Sequence, residues 1–393
     1  MSRPNLSRRP VVLVFARSYL PGYRAGGPVR SLSNLVEALG AEYDFRIVCL
    51  DRDHLSDIPY PDINVGQWQR RGGATIFYAA ASDLGCGFYR RVVSDANPDM
   101  IYLNSLFDRS FSIVPLVALG RGRSTPILLT PRGEFSAGAL GLKATRKRCF
   151  LLAARGVGLY KHVFWHACSA PEAEQIRSVL SPEAGRLFLA SNLPEAESAR
   201  IIPHAEKEPG TLRLVLASRV VPMKNTLAAI RIASQLSGRV QLDLWGLIED
   251  KTYWDLCQQQ IALCPEHVSV RHRGDIAHED LCERLHEYDV MLLPTLGENF
   301  GHAILEGLAA GLPVVISDRT PWRHLMRAGI GADFPLEDEQ AFVRELSRYQ
   351  LMTENDMAKI RETCIRYVAG WRTSHMDLDD YRRMFDAVLA SNV

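Results

Sequence analysis

Two glutamates stand eight positions apart in GENFGHAILEGLAAGLPVV, residues 297–315. Glu298 precedes a small-residue helical pattern and Glu306 lies inside it. A carboxylate near a helix N-terminus answers the helix dipole, worth about 0.3–1 kcal/mol, and that alone can account for Glu298. Glu306 is flanked by Gly307, Ala309 and Ala310, which permit close packing. A carboxylate on such a surface suits the hydroxyls of a sugar or ribose, which donate to it. A second pair of charges, Arg219 and Lys224, lies five apart in the Pro-containing stretch SRVVPMKN. Two cations at a strand end fit a diphosphate, Arg as a fork and Lys as a point charge; as a solvated loop they need no ligand. Gly26 and Gly27 let backbone approach a ligand, and a helix opening near Pro28 aims its N–H groups at the same place. No G-x-G-x-x-G fingerprint follows either first strand, which argues against a nicotinamide enzyme. Residues 51–53 and 377–379 read D-x-D, a metal pattern short enough to arise by chance.

These residues need strands that end at a common rim. Apolar runs at 11–16, 45–50, 99–104 and 126–131 read as buried strands, with a helical pattern at 28–40. The rhythm restarts at 212–218, 241–246, 268–274, 290–295 and 313–318, after the polar stretch 203–211, which reads as a linker. Alternating strands and helices predict parallel, doubly wound sheets, which bind ligands at the carboxyl ends of their strands. RAGGPVR, TPRGEF, SRVVPMKN and GENFG all follow strands and belong on that rim. A helix is expected from Gly301 to about Ala310, stopped by Gly311 and Pro313, and another over the tail 377–390. SAPE, 169–172, fits a capping box with Ser169 as N-cap and Glu172 as its partner. The basic and apolar stretch 142–166 reads either as a half-buried helical region or as a surface for anionic lipid.

The chain has 393 residues, 47% of them apolar and 23% charged, enough for two soluble domains. A net charge of +1 gives no reason to expect a nucleic-acid partner. Eight cysteines show no C-x-x-C or zinc spacing and suit a reducing compartment. The run 11–16 is too short for a signal-peptide core, and no apolar run reaches the ~18 residues of a membrane span.

Together, SRVVPMK, GENFGHAILEGLAAGLPVVISD and the Gly26–Gly27 loop resemble the retaining GT-B glycosyltransferases of glycosyltransferase family four. TPRGEF and the basic stretch after it look like the bacterial polysaccharide-building branch. The resemblance implies an α/β GT-B fold, with two Rossmann-like doubly wound domains facing across a cleft. It places an acceptor-binding domain at 1–203, a nucleotide-sugar domain at 204–375, and a terminal helix at 376–393 crossing back to the first domain. It implies that Arg219 and Lys224 hold the donor diphosphate, Glu306 the ribose hydroxyls, and that Glu298 faces the donor sugar. Asn299, Phe300, Gly301 and His302 complete the donor contacts, with Gly27 closing over the diphosphate. Arg219, Lys224 and Glu298 are thereby the catalytic candidates. Arg132 stands where many relatives carry a sugar-facing His; a guanidinium is no base, so it is assigned to the sugar, the leaving phosphate or an acidic acceptor. A second departure is SNLPE, 191–195, where many relatives have Asn-Gly.

The implied reaction is transfer of a hexosyl unit from a UDP- or GDP-sugar to a saccharide or lipid-linked saccharide acceptor. No metal or other cofactor is expected. The expected location is the cytoplasm, with peripheral contact at the inner face of the cell membrane through the basic stretch. The alternatives are another GT-B enzyme, such as a nucleotide-sugar epimerase or phosphorylase, and a nucleotide-sugar-binding protein without turnover.

Overall fold

A computed structural model describes residues 8–120, 125–135, 144–195, 202–375 and 378–391. The chain divides into two compact units, one made of residues 1–195 and 376–393, the other of 196–375.

The first unit holds an eight-stranded sheet, ordered β3-β4-β2-β1-β5-β6-β7-β8. Its strands are β1 (Val11–Phe15), β2 (Asp44–Leu50), β3 (Trp68–Arg71), β4 (Ala74–Ala79), β5 (Met100–Asn104), β6 (Ile127–Thr130), β7 (Val163–Ala167) and β8 (Leu187–Leu189). All neighbours are parallel except the hairpin of β3 and β4. Every residue of β1, β6 and β7 is buried, as expected for strands covered on both faces. Sequence periodicity finds four of the eight strands. It misses the β3–β4 hairpin, the short β8, and β7, which it merges with the basic helical stretch. The helix there spans Ala144–Gly156, and Gly158, at φ +62°, turns the chain before the apolar run VFWHA enters the sheet.

The terminal helix Leu378–Leu389 belongs to this unit. Tyr381, Met384, Phe385 and Val388 form its buried face, at the i, i+3, i+4, i+7 spacing of an amphipathic helix. Phe385 meets Tyr43 edge to face at 5.1 Å, with Phe45 and Tyr102 behind it. Arg382 pairs with Glu42 at 2.7 Å.

The second unit is a six-stranded, all-parallel sheet ordered β11-β10-β9-β12-β13-β14. Its strands are β9 (Thr211–Ala217), β10 (Arg239–Trp245), β11 (Val268–Gly274), β12 (Val290–Leu293), β13 (Val314–Ser317) and β14 (Gly331–Phe334). The order reverses between β9 and β12, and a crevice for ligands opens at such a switch point. The first unit reverses between β1 and β5 in the same way. The stretch 203–211, read from sequence as a linker, packs into the second unit. Lys207 there is fully buried 3.9 Å from Asp289, and the Ala205 N–H donates to the His286 carbonyl.

Candidate active site

The loops after β9, β12 and β13 are laced together. After β9, a single 3-10 turn (Pro222–Lys224) leads through Asn225, at φ +54°, into the helix Thr226–Ser234. The Met223 carbonyl accepts from the Leu296 N–H at 2.8 Å and from the Thr295 hydroxyl at 3.0 Å. The Ser317 hydroxyl donates to the Thr295 carbonyl, and the Glu298 N–H donates to Arg319. These bonds bring the predicted charges together. Lys224 Nζ lies 2.5 Å from Glu298 Oε1, both largely buried, and Arg219 pairs at 2.5 Å with Glu249. Glu298 thus answers a lysine as well as preceding a helix.

That helix spans His302–Ala309, with Gly301 at φ +82° as its N-cap. A Cβ on Gly301 would stand 3.0 Å from both Ile304 and the Trp322 indole nitrogen. The same indole N–H donates to the Phe300 carbonyl at 2.7 Å, fixing the backbone at the helix start. Ile304, Leu305 and Leu308 face the core, and a Cβ on Gly307 would meet Met291 at 3.0 Å, so helix and β12 approach closely. Phe300 and His302 hold their rings 4.5 Å apart, and Asn299 lies in the loop between them and Glu298. Glu306 turns from this helix toward another, His278–Arg284, where His278 Nδ1 is 3.3 Å from its Oε1.

In the first unit, Gly27 begins the helix Gly27–Leu39 after Gly26, at φ +68°. An added Cβ on Gly26 meets nothing within 4 Å, so the backbone angle, not crowding, calls for glycine there. The helix has no side-chain cap and no acidic residue in its first turn.

Arg132 follows β6 at φ +54°. Its guanidinium donates to Asn104 Oδ1 at 2.8 and 3.3 Å, to Tyr102 at 3.4 Å, to Cys168 Sγ at 3.6 Å and to Asn192. These hydrogen-bond partners are neutral, and the half-buried guanidinium stands at the carboxyl ends of β5, β6 and β7 with the Glu172 carboxylate near enough to favour its charge. Asn192 belongs to SNLPE; that loop is held further by Asn34 on the Leu193 carbonyl and by an Arg30–Glu195 pair at 2.7 Å. Ser169 caps the helix Ala170–Leu180 as expected. The Glu172 N–H donates to the Ser169 hydroxyl, and the Glu172 carboxylate accepts from the N–H groups of Cys168 and Gly133 and so also anchors the turn that carries Arg132. Of the D-x-D at 51–53, Asp51 pairs with Arg52 while Asp53 accepts from the Tyr23 and Arg24 N–H groups; both organise loops. Residue 377 of the second D-x-D lies outside the described residues.

Beneath Arg132, His166 is fully buried between the Tyr102 hydroxyl at 2.7 Å and the Ala190 carbonyl at 2.8 Å. Burial, and then the Arg132 charge, push its pKa down to about 3. Unfolded, the ring titrates near ~6.5. The unfolded chain therefore takes the proton first. The stability from this residue is complete above that value and is lost as pH falls toward 3. By pH ~5 the expected loss is about 2 kcal/mol. His204, pushed down to about 4 by burial and then by Arg361, adds in the same direction. The melting temperature should fall between pH ~7 and ~5, and His166→Gln should reduce that slope. An equal slope in the variant would clear His166 of the effect.

Residues 198–368 match the family model of Glycosyl transferases group 1. The matched residues lie within the second unit, 196–375. A D-inositol 3-phosphate glycosyltransferase from Paenarthrobacter aurescens (strain TC1) is 26% identical over 161 residues, which is 40% of this chain and 36% of that relative. The chain thus matches little more than a third of that relative's length. Sucrose-phosphate synthase from Thermosynechococcus elongatus superposes with a TM-score of 0.69 at 17% identity, over 97% of this chain and 100% of that one. HepE from Anabaena, solved with UDP and glucose, gives 0.66 at 15% identity, over 98% and 100%. WaaG, a glycosyltransferase of lipopolysaccharide biosynthesis, gives 0.64 at 13% identity, over 97% and 100%. The architecture is the GT-B fold, two Rossmann-like units with parallel sheets.

The partners were harder to foresee than the site residues. Glu249, His278, Trp322, Asn104 and Asn192 each hold a predicted residue in place, and none has a signal of its own in the sequence. Glu172 did have one, the capping box, which gives no hint that its carboxylate also reaches the Gly133 N–H.

Proposed function

We propose that this chain is a retaining, metal-independent glycosyltransferase that moves a hexosyl unit from a UDP- or GDP-sugar to a saccharide or lipid-linked saccharide acceptor in cell-surface polysaccharide assembly. The observation that carries the reading is the clustering of Lys224, Glu298 and the fixed Phe300–Gly301 backbone on laced loops at the switch point of the unit that matches the group 1 family model. Lys224 and Arg219 meet the donor diphosphate and stabilise the charge that grows on it as the glycosidic bond breaks. Both cations are held by carboxylates, Glu298 and Glu249, so the diphosphate enters by exchanging with them. Glu298, released, faces the sugar hydroxyls, and Glu306 takes those of the ribose. Asn299 and His302 flank the donor, and Gly27 closes on the diphosphate. The acceptor hydroxyl attacks from the face that the phosphate leaves, and a phosphate oxygen takes its proton. Arg132 contributes a fixed positive charge on the acceptor side.

The helix Ala144–Gly156 supports a peripheral membrane contact. It carries Arg146, Lys147, Arg148 and Arg155, and its Leu152 is 71% exposed. Among the described residues no helix is long and apolar enough to cross a membrane.

Incubation with UDP- and GDP-sugars and a saccharide acceptor panel, with and without EDTA, tests the reaction. The expected product keeps the donor's anomeric configuration by NMR, at a rate that EDTA leaves unchanged. Loss of transfer on chelation would overturn metal independence, and an inverted product would overturn retention.

A further inference from the structure

The contact of Glu306 with His278 has a third member. His278 and Cys282 lie four residues apart on one face of the helix His278–Arg284. The Cys282 sulfur is 3.3 Å from His278 Nε2 and 3.8 Å from Nδ1. Glu306 Oε1 is 3.3 Å from Nδ1. A thiol beside an imidazole that is itself oriented by a carboxylate is the arrangement that activates a cysteine nucleophile. The Cys282 side chain is half-buried, and the helix lies in the second unit beside the carboxylate assigned to the ribose.

We propose that Cys282, His278 and Glu306 form a thiol-modification site that exchanges with low-molecular-weight disulfides. The sulfur lies against the ring, near both nitrogens; a turn of the imidazole that points Nε2 at it lets His278 take the thiol proton there, with Glu306 stabilising the charged ring. The Cys282 thiolate attacks one sulfur of the disulfide, a new S–S bond forms as the old one breaks, and the departing thiolate takes the proton from His278. One disulfide and one thiol become one mixed disulfide and one thiol, with no further oxidant. An adduct on Cys282 pulls His278 out of its contact with Glu306 and fills the space beside that carboxylate. The effect on the donor rests on the ribose assignment of Glu306; the exchange chemistry does not.

Oxidised glutathione is the probe, applied to the full chain at pH ~7 with adducts mapped by mass spectrometry. An unassisted thiol is only a few per cent ionised there, so pairing with His278 leaves room for a gain of about tenfold. The rate at Cys282 should fall about tenfold in both His278→Ala and His278→Gln. The exposed Cys86 and Cys149 should keep their rates, and the buried Cys49, Cys257 and Cys364 should stay unreactive, which reports that the variants are folded. No adduct at Cys282 in the parent protein, or an unchanged rate in both variants, would overturn the site. Saturating UDP or GDP should slow the reaction at Cys282 and not at Cys86. Exchange that depends on His278 but proceeds equally with both nucleotides would overturn the link to the donor and leave the thiol chemistry standing.

Discussion

Lys224→Ala is expected to lower kcat/KM for sugar transfer about 10²–10³-fold, the usual cost of removing one donor from a developing anion. The ammonium sits behind a 3-10 turn and 2.5 Å from Glu298, while Arg219 turns instead to Glu249. Its removal acts twice. The diphosphate loses a point charge, and Glu298 becomes an unpaired carboxylate beside the incoming phosphates. Lys224→Arg should recover only part of the loss, since a planar fork does not fill the place of a compact ammonium. The comparison is steady-state kinetics against parent protein of matched melting temperature. Full activity in Lys224→Ala would remove this residue from the reaction and, with it, the functional meaning of the Lys224–Glu298 contact.

Gly246→Ala should be among the most damaging of the small substitutions. Gly246 follows β10 at φ +137°, where its N–H donates to the Gly274 carbonyl at 2.8 Å. A Cβ there would stand 2.1 Å from the Ser218 carbonyl oxygen and 3.0 Å from the Arg219 nitrogen. Both obstacles are backbone, and Ser218 is itself tied to Trp245 by a ladder bond of 2.8 Å. Neither can swing aside. The expected cost is about 3–5 kcal/mol by denaturant unfolding, from strain plus clash. Any folded fraction should also bind donor poorly, because Arg219 shifts with its backbone. Gly26→Ala is the contrast, with the same forbidden sign of φ but no atom within 4 Å of the new carbon, and should cost about 1–3 kcal/mol. Equal losses for the two would show that crowding at Ser218 plays no part.

The strands that carry the site were legible because each is a short apolar run buried on both faces. Those of the second unit also come at regular intervals between helices. Val290–Leu293 and the GENFG loop after it fall where the sequence puts them, as does the helix His302–Ala309 that stops just before Gly311. Legibility failed where one signal served two structures. VFWHA continues the apolar character of the helix before it, and only the Gly158 turn separates them. Trp68–Arg71 is too polar to read as a strand, because it lies at the sheet edge and is covered on one side only. The polar stretch 203–211 looks like a linker because Lys207 looks solvent-bound; its burial depends on Asp289, more than eighty residues later in the sequence. At the site, residue types gave the cations and carboxylates, but pairing is a property of three dimensions. Nothing in the spacing of Arg219 and Lys224 tells that the first turns to Glu249 and the second to Glu298.

The return of the helix Leu378–Leu389 to the first unit sets an order on synthesis. The unit whose strands leave the ribosome first is the last to be finished, because residues 196–375 must be made in between. At about 5–20 residues per second that interval lasts roughly 10–40 s. Throughout it, Tyr43, Phe45 and Tyr102 line an apolar furrow that Phe385 has not yet filled. The nascent chain therefore passes through a stage in which its second unit is complete and its first is open to water, to chaperones and to other unfinished copies. A stop codon shortly before residue 378 would make that stage permanent.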